Sequence, residues 1–328
     1  MLKQLRSLLV FLGSMLLLIG IQVLGRFLVS VYRRRLQIKP PESLADPDSR
    51  FIKVNGINIH YKIFGKGEPV FLLIHGSMLS LHSWREVFEP LSKFGTVIAF
   101  DRPAFGLTDR PLLSYWSGSS PYGPEAQADL TLAFLDALGI KKAILVGNSA
   151  GGTLAFLAAL RHPERVQALI LVAAMIHSGY PVHDLRPWQQ AALRKLGAVG
   201  PFLISLILPL TFEAALKSFW FDRTKLSPAL LETYRKHQEG KYWAQAWWEL
   251  ILETHALALE EHFAQIKTPV LVITGDQDYV VATKESIQLA QELPNAKLEM
   301  LATCGHLPHE ESPSAFVEAV QNFLPTIK

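Results

Sequence analysis

The sequence predicts an α/β fold, with a mostly parallel sheet, helices on both faces and an inserted helical cap. From Arg50 onward, short apolar runs typical of buried strands alternate with stretches of helical periodicity. Between residues 175 and 266 the alternation stops, and we expect a helical insertion that roofs the sheet edge where ligands bind. Five of the seven tryptophans lie in this insertion: Trp188, Trp220, Trp243, Trp247 and Trp248.

The elements follow one another in a simple order. Asn55-Gly56 is a strong hairpin-turn signal between the first two strands. The apolar run from Pro69 to Ile74 is typical of a parallel strand covered on both faces. Apolar residues at helical spacing from Leu130 to Leu138 predict a helix. The expected strands cover residues 51–55, 57–64, 69–74, 96–100, 143–146, 168–172, 270–274 and 297–301, which makes a sheet of eight.

The N-terminal segment resembles a membrane anchor in composition. Leu8 to Leu24 is apolar except for two glycines, a serine and a glutamine, and with its continuation to Val31 it reaches the roughly 20 residues that cross a bilayer. A cleaved signal peptide is the alternative, but no clear small-x-small cleavage site follows the run. More bases follow the run than precede it, so we expect a single-pass anchor with a cytoplasmic catalytic domain.

These patterns divide the chain into five segments. We expect an anchor and basic flank in residues 1–34, a linker in 35–49, the first part of the core in 50–174, the helical cap in 175–266, and the second part of the core in 267–328.

Charge and cysteine content exclude several functions. The net charge of +3 arises from residues 1–40, which hold seven bases and no acid, while the remainder holds 25 bases against 29 acids. This composition does not indicate a nucleic-acid surface. Cys304 is the only cysteine, which excludes an intrachain disulfide and a cysteine-based zinc cluster. His255 and His262 are better explained as cap-surface residues than as a metal pair. With no phosphate loop or dinucleotide fingerprint, we expect neither metal nor cofactor.

The pentapeptide from Gly147 to Gly151 is the most informative motif. It follows the apolar run Ala143 to Val146 and precedes a small-residue helical run, which is the context of a nucleophile elbow. Glycines at its ends permit a tight turn. Ser149 would then project at a helix N-terminus, where backbone N–H groups and the helix dipole favour developing negative charge.

Four motifs together resemble the α/β-hydrolase family, over roughly Phe51 to Leu324. They are His75-Gly76-Ser77, Gly147-Asn148-Ser149-Ala150-Gly151, Gly275-Asp276-Gln277-Asp278 and Gly305-His306. The resemblance implies Ser149 as nucleophile, Asp278 as acid and His306 as base, which occur in the family's chain order. It also implies an oxyanion hole from the backbone N–H groups of Ser77 and Ala150, with Met78 as the alternative donor.

Several nearby residues compete for these roles. His309 lies three residues after His306, and we expect it to be a surface residue. Asp276 competes with Asp278 for the role of acid, and we expect it to cap the turn instead. His75 is expected to be structural, and Asp101 precedes the serine in a loop that is structural in the family.

A serine nucleophile limits the substrate class. Haloalkane dehalogenases and epoxide hydrolases of this fold use aspartate at that position. Acyl transfer to water suits serine, so we expect a small-molecule carboxylic ester, apolar or lipid-like. Carbon–carbon bond hydrolysis of the meta-cleavage type is the alternative, because those enzymes have a similar Gly-Asn-Ser elbow. A non-catalytic ligand-binding protein is a second alternative, although all three triad candidates are present.

The cap contains an apolar stretch from Leu196 to Leu210, interrupted by two glycines and two prolines. It is too short to span a membrane and fits a buried or interfacial segment. We consider two explanations: a membrane-facing entrance for acyl chains, or ordinary packing of the cap on the core.

Overall fold

The computed structural model describes residues 39–177 and 186–327, together with Gln22. Residues Met1–Lys39 and Pro40–Lys328 form separate units. The predicted anchor, and with it the predicted orientation in the membrane, lies outside the described residues. The segment boundaries proposed above stay predictions.

One sheet of eight strands organises the second unit. The strands are β1 (Arg50–Val54), β2 (Ile57–Phe64), β3 (Val70–Ile74), β4 (Thr96–Phe100), β5 (Ala143–Asn148), β6 (Val166–Val172), β7 (Val270–Gly275) and β8 (Ala296–Leu301). Their spatial order is β1-β2-β4-β3-β5-β6-β7-β8. The first two strands form an antiparallel hairpin, β2 pairs antiparallel with β4, and all other pairs are parallel. The predicted mostly parallel sheet is confirmed.

The hairpin turn follows the local sequence. Asn55 and Gly56 have φ angles of 50° and 86°, the left-handed conformations that a tight two-residue hairpin requires. Asparagine and glycine adopt these angles at low cost, which sets the register in which Val54 faces Ile57.

Helices cover both faces of the sheet. They are α1 (Arg85–Ser92), α2 (Pro124–Ala137), α3 (Ala150–Arg161), α4 (Pro187–Arg194), α5 (Val199–Lys217), α6 (Pro228–Arg235), α7 (Trp243–Glu253), α8 (Thr283–Glu292), α9 (Pro308–Glu311) and α10 (Pro313–Phe323). Alternate residues of β3 enter opposite cores, because side chains alternate along a strand. Leu72 and Ile74 pack with residues of α2, α3 and α8, whereas Phe71 and Leu73 pack with residues of α1 and α10.

The regular elements that the structure describes between β6 and β7 are helices, and they include α4 to α7. Phe212 and Leu216 of α5 join an apolar cluster that includes Leu79 and Leu307 of two core loops. The inserted helices therefore pack on loops at one end of the sheet.

We expected the apolar stretch from Leu196 to Leu210 to be too short to span a membrane, but helix α5 extends to Lys217 and is long and apolar enough to do so. It is continuous over 19 residues and runs through Pro209. Pro201 lies in its first turn, where backbone N–H groups have no intrahelical acceptor in any case. Pro209 removes one hydrogen bond in the interior, and the remaining turns keep the helix intact.

Candidate active site

Ser149 lies between β5 and α3, on a turn of unusual backbone geometry. Its φ and ψ angles are 53° and −122°, a conformation that residues other than glycine seldom adopt. Its N–H donates to the carbonyl of Val172 at 2.9 Å, which ties the turn to the neighbouring strand β6. The elbow predicted from the sequence is therefore present, with the serine held in a strained conformation at a helix N-terminus.

The flanking glycines are required by close backbone contacts. A Cβ at Gly147 would lie 2.4 Å from the carbonyl oxygen of Gly151, and one at Gly151 would lie 2.2 Å from that of Ile74. Both contacts are with backbone, which cannot rotate away as a side chain can. The turn can close this tightly only because both positions lack a side chain.

His306 and Asp278 form a buried pair. His306 Nδ1 lies 2.8 Å from Asp278 Oδ2. The other carboxylate oxygen, Oδ1, accepts the N–H groups of Val280 at 2.8 Å and Val281 at 3.1 Å. An ionised carboxylate only accepts hydrogen bonds, so the imidazole donates its Nδ1–H and keeps Nε2 as an acceptor. This is the tautomer that a general base needs.

Asn148 connects the elbow to the histidine loop. Its side-chain Nδ2 donates to the carbonyls of Val172 and His306, each at 3.2 Å. The loop before Ser77 also approaches the elbow, since a Cβ at Gly76 would lie 3.2 Å from Ser149 Cβ. The structure thus brings four sequence motifs to one place. Sequence reasoning missed the role of Asn148, because its partner lies 158 residues away.

The oxyanion-hole candidates lie on either side of the elbow. Ala150 is fully buried. Because it is the first residue of α3, its N–H has no acceptor within the helix. Ser77 lies in the half-buried loop that follows β3. Met78 has a φ of 66°, which gives this loop a sharp bend. The assignment of Ser77 and Ala150 stays a prediction.

His309 is not the surface residue that we expected. It is fully buried, stacks on Trp84 with ring centroids 4.0 Å apart, and has Nε2 at 3.4 Å from Ser83 Oγ. Burial lowers the pKa of His309 well below its ordinary value. The expectation was wrong because a position in a polar sequence stretch does not show which side of helix α9 packs inward.

Asp276 and His75 both hold loops in place. Asp276 does not cap its own turn as we expected: its Oδ1 accepts the N–H of Cys304, 28 residues away, at 3.2 Å, so this carboxylate braces the neighbouring loop. His75 Nδ1 lies 2.8 Å from the carbonyl of Gly76, and its Nε2 accepts the N–H of Arg102 at 3.1 Å. Both ring nitrogens of His75 are therefore engaged with backbone, as expected of a structural residue.

Glu311 is a further residue that the sequence did not reveal. Its Oε1 accepts the N–H of Gly305 at 2.8 Å, and its Oε2 accepts those of Phe221 and Asp222 at 3.0 and 3.2 Å. The N–H of His306 donates to the carbonyl of Phe219 at 2.8 Å. The loop after α5 is thus hydrogen-bonded to the loop that carries His306.

No cluster of three or more potential metal ligands occurs in residues 39–177 and 186–327. His255 Nε2 lies 2.9 Å from Glu125 on the surface.

Cys304 is buried, and burial raises the pKa of its thiol to about 12. It is therefore unsuited to nucleophilic chemistry at neutral pH.

The family model of the alpha/beta hydrolase fold matches residues 69–313. The chain therefore belongs to the α/β-hydrolase fold family, and it is an enzyme of that family. A relative from Pseudomonas putida, 2-hydroxy-6-oxo-2,4-heptadienoate hydrolase, is 28% identical over 84% of this chain and 95% of its own length.

Two solved structures are similar along most of the chain. A mutant of the meta-cleavage product hydrolase from Pseudomonas fluorescens, complexed with acetates, has a TM-score of 0.67 and 25% identity, covering 89% of this chain and all of that one. A membrane phospholipase A has a TM-score of 0.67 and 26% identity, covering 97% of this chain and 98% of that one.

Proposed function

We propose that this enzyme hydrolyses a carbon–carbon bond next to a ketone in a conjugated dienoate, with Ser149 as nucleophile. The observation that carries the proposal is the similarity to enzymes named for such reactions, over more than four-fifths of the chain. The buried pair of His306 and Asp278 supports it, because hydrolysis by serine needs a base in the correct tautomer. This reaction was the alternative in the sequence analysis, and the relatives favour it over ester cleavage.

In this proposal the first step is addition of Ser149 to the ketone. Ser149 Oγ attacks the carbonyl carbon while Nε2 of His306 takes the hydroxyl proton. The carbonyl oxygen becomes an oxyanion, which the N–H groups of Ser77 and Ala150 would stabilise. Asp278 keeps the ring oriented and stabilises its positive charge.

Collapse of this intermediate breaks the carbon–carbon bond. The dienoate reacts as its 2-oxo tautomer, in which the proton of the 2-hydroxyl group has moved to the carbon next to the ketone. The bonding electron pair then passes into the conjugated 2-oxo-ene of the departing fragment and gives a dienolate, whose oxygen takes the proton from His306. The remaining acyl group is then an ester of Ser149. Water, deprotonated by His306, attacks the ester and releases a carboxylic acid and the free serine.

Hydrolysis of a carboxylic ester is the second candidate. It uses the same groups, except that the departing fragment is an alcohol. The similarity to a membrane phospholipase A favours it, because that match extends over 97% of the chain.

We also propose an N-terminal membrane anchor with a cytoplasmic catalytic domain, on the basis of the apolar run and its basic flank. Protease protection in sealed vesicles tests the orientation, and protection of the C-terminal domain would contradict it.

One substrate panel tests both candidates. The full-length protein is given 2-hydroxy-6-oxo-2,4-heptadienoate and p-nitrophenyl esters of short and long acyl chains, with Ser149→Ala as control. We expect kcat/KM for the dienoate to exceed that for every ester by about 100-fold, a difference of about 2.7 kcal/mol in the activation free energy. A ratio reversed in favour of the esters would contradict the proposal and support the second candidate.

Fluorophosphonate labelling separates both reactions from ligand binding without turnover. We expect Ser149 to react and the Ser149→Ala variant not to react. If folded protein neither labels nor turns over any member of the panel, the chain is a non-catalytic ligand-binding member of its family.

A further inference from the structure

Helix α5 has an exposed apolar face. We call this surface the outer cap face and define it by Leu196 just before the helix and by Val199, Phe202, Leu203, Ile207 and Leu210 within it. All six side chains are exposed, with Ile207 at 55% and Leu210 at 80%. In a helix at a water-facing surface these positions are ordinarily polar. A continuous apolar stripe this large marks a surface that contacts something other than water.

The packing of the opposite side of α5 fixes the direction in which this face points. A Cβ at Gly200 would lie 2.2 Å from the indole ring of Trp248, so the helix backbone lies directly against α7. Phe212 and Leu216 are buried in the cluster that contains Leu307, next to His306. The helix cannot rotate to hide its outer face without exposing these residues.

The charges around the outer cap face favour an anionic lipid surface as the occupant. The stretch from Arg186 to Phe212 contains three bases and no acid, and Asp184 and Glu213 lie just outside its two ends. Arg186 and Lys195 are exposed, and Arg194 is paired with Glu253. Trp188, in the preceding helix α4, is 64% exposed, and tryptophan prefers the boundary between water and lipid. An apolar face flanked by bases and a tryptophan is the composition of a helix that lies in a membrane surface.

Spanning of the bilayer by α5 is not compatible with its neighbours. Val199–Lys217 is long and apolar enough to cross a membrane, and 17% of its most apolar window is buried. Its second half, however, packs on core loops through Phe212 and Leu216. Glu213 forms ion pairs with Lys217 and Arg235, which end the apolar face with exposed charges. These features suit a helix that lies on the surface.

We propose that the outer cap face docks on an anionic lipid bilayer, with its apolar side chains below the headgroups. The proposal does not depend on which bond Ser149 cleaves. Docking would hold the cap, whose inner side contacts the loops of Ser77 and His306, at the lipid surface. A lipid-like ester, the substrate of the second candidate function, would then have a short path to the site.

The test uses full-length protein in vesicles that contain phosphatidylglycerol and phosphatidylcholine. A fluorophore sensitive to its environment is attached to Leu210→Cys or, as the control, to Gln321→Cys on α10. The native Cys304 is buried, so the label reacts at the introduced site. We expect blue-shifted emission and quenching by spin-labelled lipids at position 210, and neither at position 321.

Two further variants test the chemistry of docking. Lys195→Gln should weaken docking about fivefold, since a base at an anionic surface contributes about 1 kcal/mol. Ile207→Glu should abolish quenching at position 210, whereas Leu298→Glu, a matched change on the exposed edge strand β8, should not. Emission at 210 that stays water-like in vesicles would overturn the proposal. A blue shift without lipid quenching would also overturn it, because a second protein chain would then cover the face.

Discussion

The assignment of the catalytic acid leads to the sharpest prediction. In Asp278→Asn, the amide oxygen can keep the hydrogen bonds from the N–H groups of Val280 and Val281, since these go to one carboxylate oxygen. The amide nitrogen then replaces the oxygen that faces His306 Nδ1. An amide N–H is a donor, so Nδ1 must become the acceptor and the ring proton must move to Nε2.

The magnitude follows from this change of tautomer. With its proton on Nε2, His306 can no longer take a proton from Ser149. We expect kcat to fall by about 10⁴-fold, equivalent to about 5.5 kcal/mol in activation free energy. The fold should survive, because the variant preserves side-chain volume and all three hydrogen-bonded contacts, with the one to His306 reversed in direction.

Asp276→Asn is the matched control. The amide oxygen of the new residue can still accept the N–H of Cys304, so we expect activity to change by less than about fivefold. The assay is single-turnover kinetics on the substrate that the panel identifies, with circular dichroism to verify folding. If Asp276→Asn loses activity and Asp278→Asn retains it, the assignment of the acid is refuted.

Three further predictions concern the surroundings of Ser149. Gly151→Ala places a Cβ 2.2 Å from a backbone carbonyl oxygen, so we expect this variant to lower thermal stability strongly. Gly123→Ala is the control, because the nearest neighbour of its Cβ would be 3.8 Å away, and we expect it to change thermal stability little. Calorimetry measures both variants. Burial raises the pKa of Glu310 from 4.5 to about 7. The ion pair with Arg85, whose Nη1 lies 2.7 Å from Glu310 Oε2, opposes this shift, but burial outweighs it. The folded state therefore binds more protons than the unfolded state in this window, and the contribution of Glu310 to stability falls as pH rises through it. Denaturant titrations from pH 4 to 8 should show that Glu310→Gln flattens this slope, and an unchanged slope would contradict the burial argument. Glu311→Gln leaves one oxygen for three backbone N–H groups, at a cost of about 1–3 kcal/mol in loop stability. We expect kcat to fall about tenfold with KM nearly unchanged, and an equal rise in KM would instead indicate a role in substrate binding.

The fold and the elbow were predictable because their signals are local. The apolar run before Gly147 and the small residues after Ser149 specify strand, turn and helix within a short stretch of chain. The hairpin at Asn55 follows from backbone preferences of two neighbouring residues. Candidates for the acid and the base followed from chain order within the family, and the structure places Asp278 and His306 within hydrogen-bonding distance.

Several features were not predictable, because they depend on what each residue packs against. Expectation and structure differ at His309, which stacks on Trp84 from a distant part of the chain. The apolar stretch of the cap was expected to end at Leu210, yet helix α5 continues to Lys217 through residues that pack on core loops. The exposure of Leu210 could not be read from its apolar neighbours, since a buried helix has the same composition.

The sequence by itself therefore determined the order of elements, the parallel sheet and the serine at a strand-to-helix turn. These depend on backbone preferences and on the period of burial, which neighbouring residues set. Only the tertiary structure decided that Asn148 holds the carbonyl of His306, and that Glu311 joins the histidine loop to Phe221. These partners lie 158 and 90 residues apart, and a hydrogen bond over such a separation exists only once the sheet has brought its loops together.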